Sequence, residues 1–249
     1  MNLTSKVALV TGGTRGIGAA TALALAREGA DVAIAGRRLD AGAIATRDAI
    51  VAAGRRCELI QADCARSDEA TRCVTETDSR LGSVDVLVHS AGGPVNGGLF
   101  DLKPEDWNGA FDVHVHALFH LCRAAIPAMR RKREGAIVLI SSTAGIRGVV
   151  TNIAYQVAKG ALPQFARALA REFANDNIRV NCVAPGVVRT DFHKAMTEAQ
   201  RRLNLEQRIP LRREGTPEQV ADLILALVKN DYITGETMTI DGGLTMRIA

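Results

Sequence analysis

Seven short apolar runs mark the chain: KVALVTG (6–12), DVAIAGR (31–37), CELIQAD (57–63), VDVLVHSAG (84–92), AIVLISS (136–142), IRVNCVAPG (178–186) and ETMTIDGG (236–243). They are rich in valine and isoleucine and alternate little between apolar and polar positions. A strand covered on both faces needs no alternation, so these runs predict buried strands. Between them apolar residues return at helical spacing over roughly 16–29, 39–54, 67–82, 104–133, 154–176 and 217–229. Thr216 followed by Pro217 predicts the start of the last helix, as a capping residue before a proline at the first helical position. Strands that alternate with helices require right-handed crossovers, which predicts an α/β fold: a doubly wound seven-stranded parallel sheet with helices on both faces. No repeat, linker or low-complexity segment divides the chain, so residues 1–249 are expected to form a single domain.

One helical position conflicts with its surroundings. Pro163 lies inside the 154–176 segment, has no backbone N–H, and crowds the carbonyl of Lys159. Either the helix runs on and that carbonyl finds a donor elsewhere, with a bend or widened turn, or the helix breaks at 160–162. Continuity is the expectation.

Composition changes this picture little. Of 249 residues, 47% are apolar and 23% charged, as in a protein with a large core. The net charge of +4 is too small and dispersed to imply nucleic acid or an anionic membrane. Five cysteines form no C-x-x-C and stand at no metal spacing, which favours a reducing compartment and no metal. No run approaches the roughly 18 apolar residues of a membrane span. The N-terminus enters a strand without a leader, so a soluble cytoplasmic protein is expected.

In such a sheet, ligands bind beyond the carboxyl ends of the strands, near the reversal of strand order. The first strand is followed by TGGTRGIG, in which Gly12, Gly16 and Gly18 would bring bare backbone and a helix N-terminus to a pyrophosphate. The second ends in Gly36-Arg37-Arg38, where an NAD-preferring domain usually carries an acid for the ribose 2′-hydroxyl. With Arg15 these arginines form a cationic cup suited to a 2′-phosphate, so NADP(H) is expected over NAD(H). Asp63 closes the third strand, placed to accept from an adenine amino group. Tyr155 and Lys159 are four apart on a helix and share a face. A neighbouring ammonium favours the phenolate, making the pair a usable proton donor and acceptor.

Thr11-Gly12 with Gly16 and Gly18, Asp63, Ala91-Gly92, Ser142, Tyr155 with Lys159, Pro185-Gly186 with Thr190, and Asp241-Gly242-Gly243 occur in an order and spacing that resembles the short-chain dehydrogenase/reductase family. The resemblance covers essentially the whole chain and points to the branch of 3-oxoacyl-carrier-protein reductases and sugar dehydrogenases. It implies a Rossmann fold, usually a homotetramer. Cofactor contacts would come from Gly12, Thr14, Arg15, Gly16, Ile17, Gly18, Arg37, Arg38, Asp63, Cys64, Ser90, Ala91, Gly92, Tyr155, Lys159, Pro185, Gly186, Val188 and Thr190. It also implies that Ser142 holds the substrate oxygen and Tyr155 is the general acid or base. Lys159 would lower the tyrosine pKa and bond the nicotinamide ribose, and Thr190 would grip the carboxamide. Two positions depart from the family pattern. His89-Ser90 stands where Asn-Asn is usual, and His114 stands where many members hold a relay water with asparagine. His114 is read either as a relay member titrating in the working pH range or as a packed structural replacement.

A lid over about 186–215 should cover the substrate. Residues 189–213 contain seven basic and three acidic residues. With Arg147, Asn152, Gln156 and His193, that excess favours a small polar substrate such as a sugar derivative or hydroxy acid. The alternatives are a 3-oxoacyl-carrier-protein or -CoA reductase, and a non-catalytic NADPH sensor or scaffold. Carrier docking would use basic residues near two helix ends; Arg133 fits one, but Asp176 occupies the other.

Overall fold

The seven apolar runs become seven parallel strands of one sheet: β1 (Val7–Thr11), β2 (Asp31–Gly36), β3 (Cys57–Gln61), β4 (Val86–His89), β5 (Gly135–Ile140), β6 (Ile178–Pro185) and β7 (Thr237–Ile240). The computed structural model describes residues 1–194 and 196–246, except for the side chain of His193, which lies outside the described part. Strand order is β3-β2-β1-β4-β5-β6-β7, so the chain reverses direction across the sheet between β1 and β4. Successive strand residues face opposite sides. Ala8 and Val10 pack with Leu25, Ile50 and Ile224, whereas Leu9 packs with Val74, Leu121 and Leu162. The first layer holds α1 (Gly16–Arg27), α2 (Ala41–Ala52) and α8 (Pro217–Lys229); the second holds α3 (Ser67–Arg80), α5 (Ala117–Lys132) and α6 (Ile153–Glu172). Thr216 caps α8 as expected, in a reciprocal box with Gln219.

The 104–133 segment is not one α-helix. It comprises α4 (Pro104–Phe111), a π-helical turn (Asp112–His116), and α5. The Ala117 N–H bonds the Asp112 carbonyl five residues back, and His89 takes the Val113 carbonyl from outside the helix. The lid also contains elements that apolar spacing does not reveal: a short α7 (Glu198–Leu203) and a second π-helical turn (Asn204–Arg208).

Helix α6 runs unbroken through Pro163. The Ser141 hydroxyl, at the end of β5, donates to the Lys159 carbonyl at 2.7 Å and replaces the N–H that proline removes. Gly145 completes the docking: a Cβ there would lie 2.7 Å from the carbonyl carbon of Lys159. Ser141→Ala should therefore leave a buried carbonyl unpaired and cost about 1–3 kcal/mol in urea unfolding. Pro163→Ala restores a helical donor and should recover part of that loss in the double variant. Equal stability of wild type and Ser141→Ala would remove the hydroxyl from this role.

Candidate active site

The glycine loop after β1 is shaped by close approach. Gly12 has φ +68°, and a Cβ on it would stand 2.7 Å from the backbone of Ser90 and Ala91. A Cβ on Gly18 would lie 2.1 Å from the Gly12 carbonyl oxygen, so the turn can close only around glycine. The start of α1, which holds Gly16, Ile17 and Gly18, thus presents backbone toward the sheet's carboxyl edge. Thr190 comes there from the other half of the sheet; its methyl is 3.2 Å from where a Gly16 Cβ would sit. Arg15 reaches across to Asp40 at 2.7 Å, three residues beyond Arg37, so the loop after β2 and the glycine loop share one charged corner. Arg37 and Arg38 are exposed there. A Cβ at Gly36 would stand 2.8 Å from the Thr14 methyl, so an acid at that position would displace Thr14. These features form a cradle that fits a dinucleotide.

At the third strand's end the Asp63 carboxylate accepts the Ala65 N–H at 3.1 Å. Cys64 is buried and its thiol pairs with Cys73, which together with burial pushes it well above its ordinary range. Cys64 therefore turns its side chain into the core, leaving backbone to face a ligand.

Three consecutive residues at the end of β5 hold the reactive side chains of α6. The Ile140 carbonyl accepts from the Lys159 ammonium at 2.6 Å, Ser141 holds the Lys159 carbonyl, and the Ser142 hydroxyl is hydrogen-bonded to Tyr155. Tyr155 and Lys159 are both buried, with Lys159 Nζ 5.7 Å from the tyrosine ring centre. The electrostatics differ from the expectation that lysine depresses the phenol. Burial raises the Tyr155 pKa above its ordinary value, and the Ser142 hydrogen bond offsets this only in part. Burial pushes Lys159 down to about 8. In this state the pair is a protonated phenol beside an ammonium that half-neutralises just above physiological pH.

His89 and His114 are buried. A carbonyl can only accept, so His89 Nε2–H donates to Val113 at 2.9 Å and Nδ1 accepts from the Thr11 hydroxyl at 2.8 Å. His114 Nε2–H donates to the Gly93 carbonyl at 3.2 Å, while its Nδ1 is buried with no hydrogen-bond partner among the described residues. The His114 ring stands edge-on to Tyr155, centres 5.6 Å apart. It also fills the space beside Gly92: a Cβ there would be 2.0 Å from Cε1. Burial, then the Lys159 charge, pushes His89 down to about 4 and His114 well below its ordinary value. Burial thus favours the neutral form of both rings, which supports reading His114 as a packed structural replacement over a relay member titrating at working pH.

The lid closes the site from the β6 side. Pro185 ends that strand, and a Cβ at Gly186 would be 2.7 Å from Asp241 Cβ, so the terminal Asp-Gly-Gly motif is the lid's back wall. Val188 is buried, and the Phe192 ring lies 5.7 Å from Tyr155, a contact that sequence reading missed because one phenylalanine in a short 3-10 turn has no periodicity. Three of the four polar residues expected to face substrate are engaged elsewhere; the side chain of the fourth, His193, lies outside the described residues. The Gln156 side chain bonds Asn152 and both the N–H and carbonyl of Val149, and Arg147 reaches the Thr245 carbonyl.

Comparison with known proteins agrees in one direction. A family profile described as enoyl-(acyl carrier protein) reductase matches residues 12–245. A 3-oxoacyl-(acyl-carrier-protein) reductase from Escherichia coli is 37% identical over 248 residues, 99% of this chain and all of that protein. The enzyme of the same name from Chlamydia muridarum is 36% identical over 244 residues, 97% of this chain and 98% of its own length. Among solved structures, a phenylalanine double mutant of a Serratia marcescens short-chain dehydrogenase/reductase superposes with TM-score 0.92 at 33% identity, covering 98% of this chain and 100% of that one. A blue fluorescent protein from a metagenomic library, solved in complex with NADPH, gives 0.91 at 34%, with the same coverage.

The buried histidines set a pH dependence. The unfolded chain protonates His89 below about pH 6.5, whereas the folded protein resists until about 4. Its contribution to stability is complete above pH 6.5 and is lost as pH falls toward 4, at up to about 1.4 kcal/mol per pH unit. His89→Asn should flatten the decline of melting temperature between pH 6.5 and 4.5. Parallel curves for the two proteins would rule this out.

Proposed function

The chain belongs to the short-chain dehydrogenase/reductase family, and we propose that within it the protein is an NADP(H)-dependent reductase of 3-oxoacyl thioesters, on a carrier protein or coenzyme A. The observation that carries the substrate class is the fate of the lid's cations. Arg189 and Arg201 pair with Glu214, Arg202 with Glu206, Arg208 with Asn204 and Arg213 with Gln219. Five of the lid's seven cations are thus engaged with other side chains of the protein, two carboxylates offsetting three of them. Large apolar side chains stand exposed on loops near the site instead: Leu99 and Phe100 on one, Val150 on the other. The Gly97 N–H bonds the Thr151 carbonyl at 2.8 Å and joins the two loops just before α6. An apolar rim suits an acyl thioester better than a sugar or hydroxy acid, and this reading replaces the small polar substrate that the lid's charge count favoured. The names of the relatives support it.

NADP(H) preference rests on the exposed Arg37 and Arg38, beside an Arg15 that is ion-paired with Asp40, and on the crowding of Gly36 by Thr14. When bound, the cofactor supplies the hydride for the carbonyl carbon. Ser142 holds the substrate oxygen. Tyr155, kept protonated by burial, donates its proton to that oxygen as general acid. The Lys159 ammonium, anchored on Ile140, bonds the nicotinamide ribose and stabilises the phenolate left after transfer. Thr190 and the backbone at Val188 grip the carboxamide. His114 is a neutral ring packed edge-on beside Tyr155; with its Nε2–H on the Gly93 carbonyl it has no onward proton acceptor, so it packs against the tyrosine rather than relaying a proton. The described part of the chain has no helix long and apolar enough to cross a membrane. We place the protein in the cytoplasm on the strength of its five free cysteines. The groove of about 690 Å³ between α5 and α6, lined by Phe119, Phe165 and Phe173, is assigned to a second copy in a homotetramer.

Two measurements test the reading. Titrating NADPH and NADH against wild type and Arg37→Asp should show NADPH binding at least tenfold tighter in wild type and most of that margin lost in the variant. Equal wild-type affinities would defeat the cofactor assignment. With NADPH, acetoacetyl-CoA should be reduced while aldoses and 2-hydroxy or 2-oxo acids are not. Tyr155→Phe should lower that turnover ~10²–10⁴-fold with NADPH affinity kept. Turnover confined to sugars or hydroxy acids would overturn the substrate class, and a Tyr155→Phe enzyme at full rate would overturn the acid.

A further inference from the structure

Glu214 is a carboxylate almost out of reach of water, with 6% of its side chain exposed. A buried charge is tolerated only when it is paired, and Glu214 has two partners from different parts of the lid. Arg189 Nε approaches Oε2 at 3.4 Å and Arg201 Nε approaches Oε1 at 3.2 Å. Arg189 belongs to the inner arm. It immediately precedes Thr190, which touches the glycine loop, and lies three residues before Phe192, whose ring covers Tyr155. Arg201 belongs to α7, on the outer arm.

The base of the lid is already closed by backbone. The Arg189 N–H bonds the Gly215 carbonyl, and the Gly215 N–H bonds that of Val187, each at 2.9 Å. The returning chain is pinned at Leu211, whose N–H bonds the Gly242 carbonyl at 3.1 Å. Among the described residues the other polar contacts of α7 are local: the capping box of Thr197 with Gln200, and Arg202 with Glu206 one turn on. The bond from Arg201 to Glu214 ties this outer arm back to the closed base.

We infer that Glu214 is a positioning residue for substrate binding, a single buried carboxylate on which both arms of the lid are clasped, so that Phe192 and α7 hold their places over the reactive end of the site. This rests on the reading that residues 186–215 cover the substrate. The role belongs to the charge: a neutral isostere fills the same space without holding two guanidiniums.

The test compares Glu214→Gln, Glu214→Met and Arg201→Met with the full-length enzyme by two readouts. Steady-state kinetics with NADPH and acetoacetyl-CoA should show KM for the thioester raised on the order of five- to tenfold, with kcat within twofold. Limited trypsin digestion should cut faster after Arg202 and Arg208 in all three variants. Glu214→Met/Arg201→Met should be no worse than Glu214→Met alone, because the carboxylate that Arg201 binds is already gone. Wild-type KM and wild-type cleavage rates in a folded Glu214→Gln protein would overturn the inference, as would a loss confined to kcat. If the wild type does not reduce acetoacetyl-CoA, the substrate proposal fails, and the digestion alone decides the clasp. If the Glu214 variants do not fold, Arg201→Met decides it, because that guanidinium is half exposed and its loss leaves the core intact.

Discussion

The site depends on the seating of one helix against the end of one strand. Helix α6 carries Tyr155 and Lys159, β5 ends in Ile140 and is followed by Ser141 and Ser142, and three bonds in sequence fasten this stretch to the helix. One holds the lysine's charge, one its backbone and one the tyrosine's hydroxyl. Proline makes the middle bond available. A helical carbonyl already taken by an N–H one turn on can accept only a second, shared bond, whereas Pro163 leaves one carbonyl wholly open to the strand directly beneath the reactive pair. The absence of a Cβ at Gly145 then lets the two backbones meet. A local defect in helical hydrogen bonding thereby becomes the fixed point of the active site.

This attachment also explains the unusual electrostatics. Fastening α6 so tightly removes water from Lys159 and Tyr155, and desolvation moves the two groups in opposite senses, each toward its neutral form. The mutual attraction that a same-face pair implies on an isolated helix is smaller than this burial. The protonated phenol that results is suited to giving a proton to a carbonyl oxygen.

Most of the architecture was legible because it rests on periodicities that survive in one dimension. Buried parallel strands read as continuous valine and isoleucine runs, glycine loops sit where strands end, and Pro163 announced an unfilled carbonyl. What escaped depends on partners distant in sequence. The π-helical turn at Asp112–His116 needs His89, from a strand more than twenty residues earlier, to take the Val113 carbonyl, and nothing in the 104–133 pattern marks it. The charge count of the lid misled for the same reason. A tally of arginines cannot show that Glu214, just outside the counted window, engages two of them.

The packing of His114 against Gly92 has a consequence for anyone wishing to transplant this site. The imidazole occupies the volume any side chain at position 92 would claim, and the turn that carries it is held by the second imidazole at position 89. The three positions behave as one interlocking part rather than as three independent choices. Moving His114 alone onto a related scaffold would deliver the ring without the socket that orients it. The transferable unit is the end of β4 together with the π-helical turn it braces.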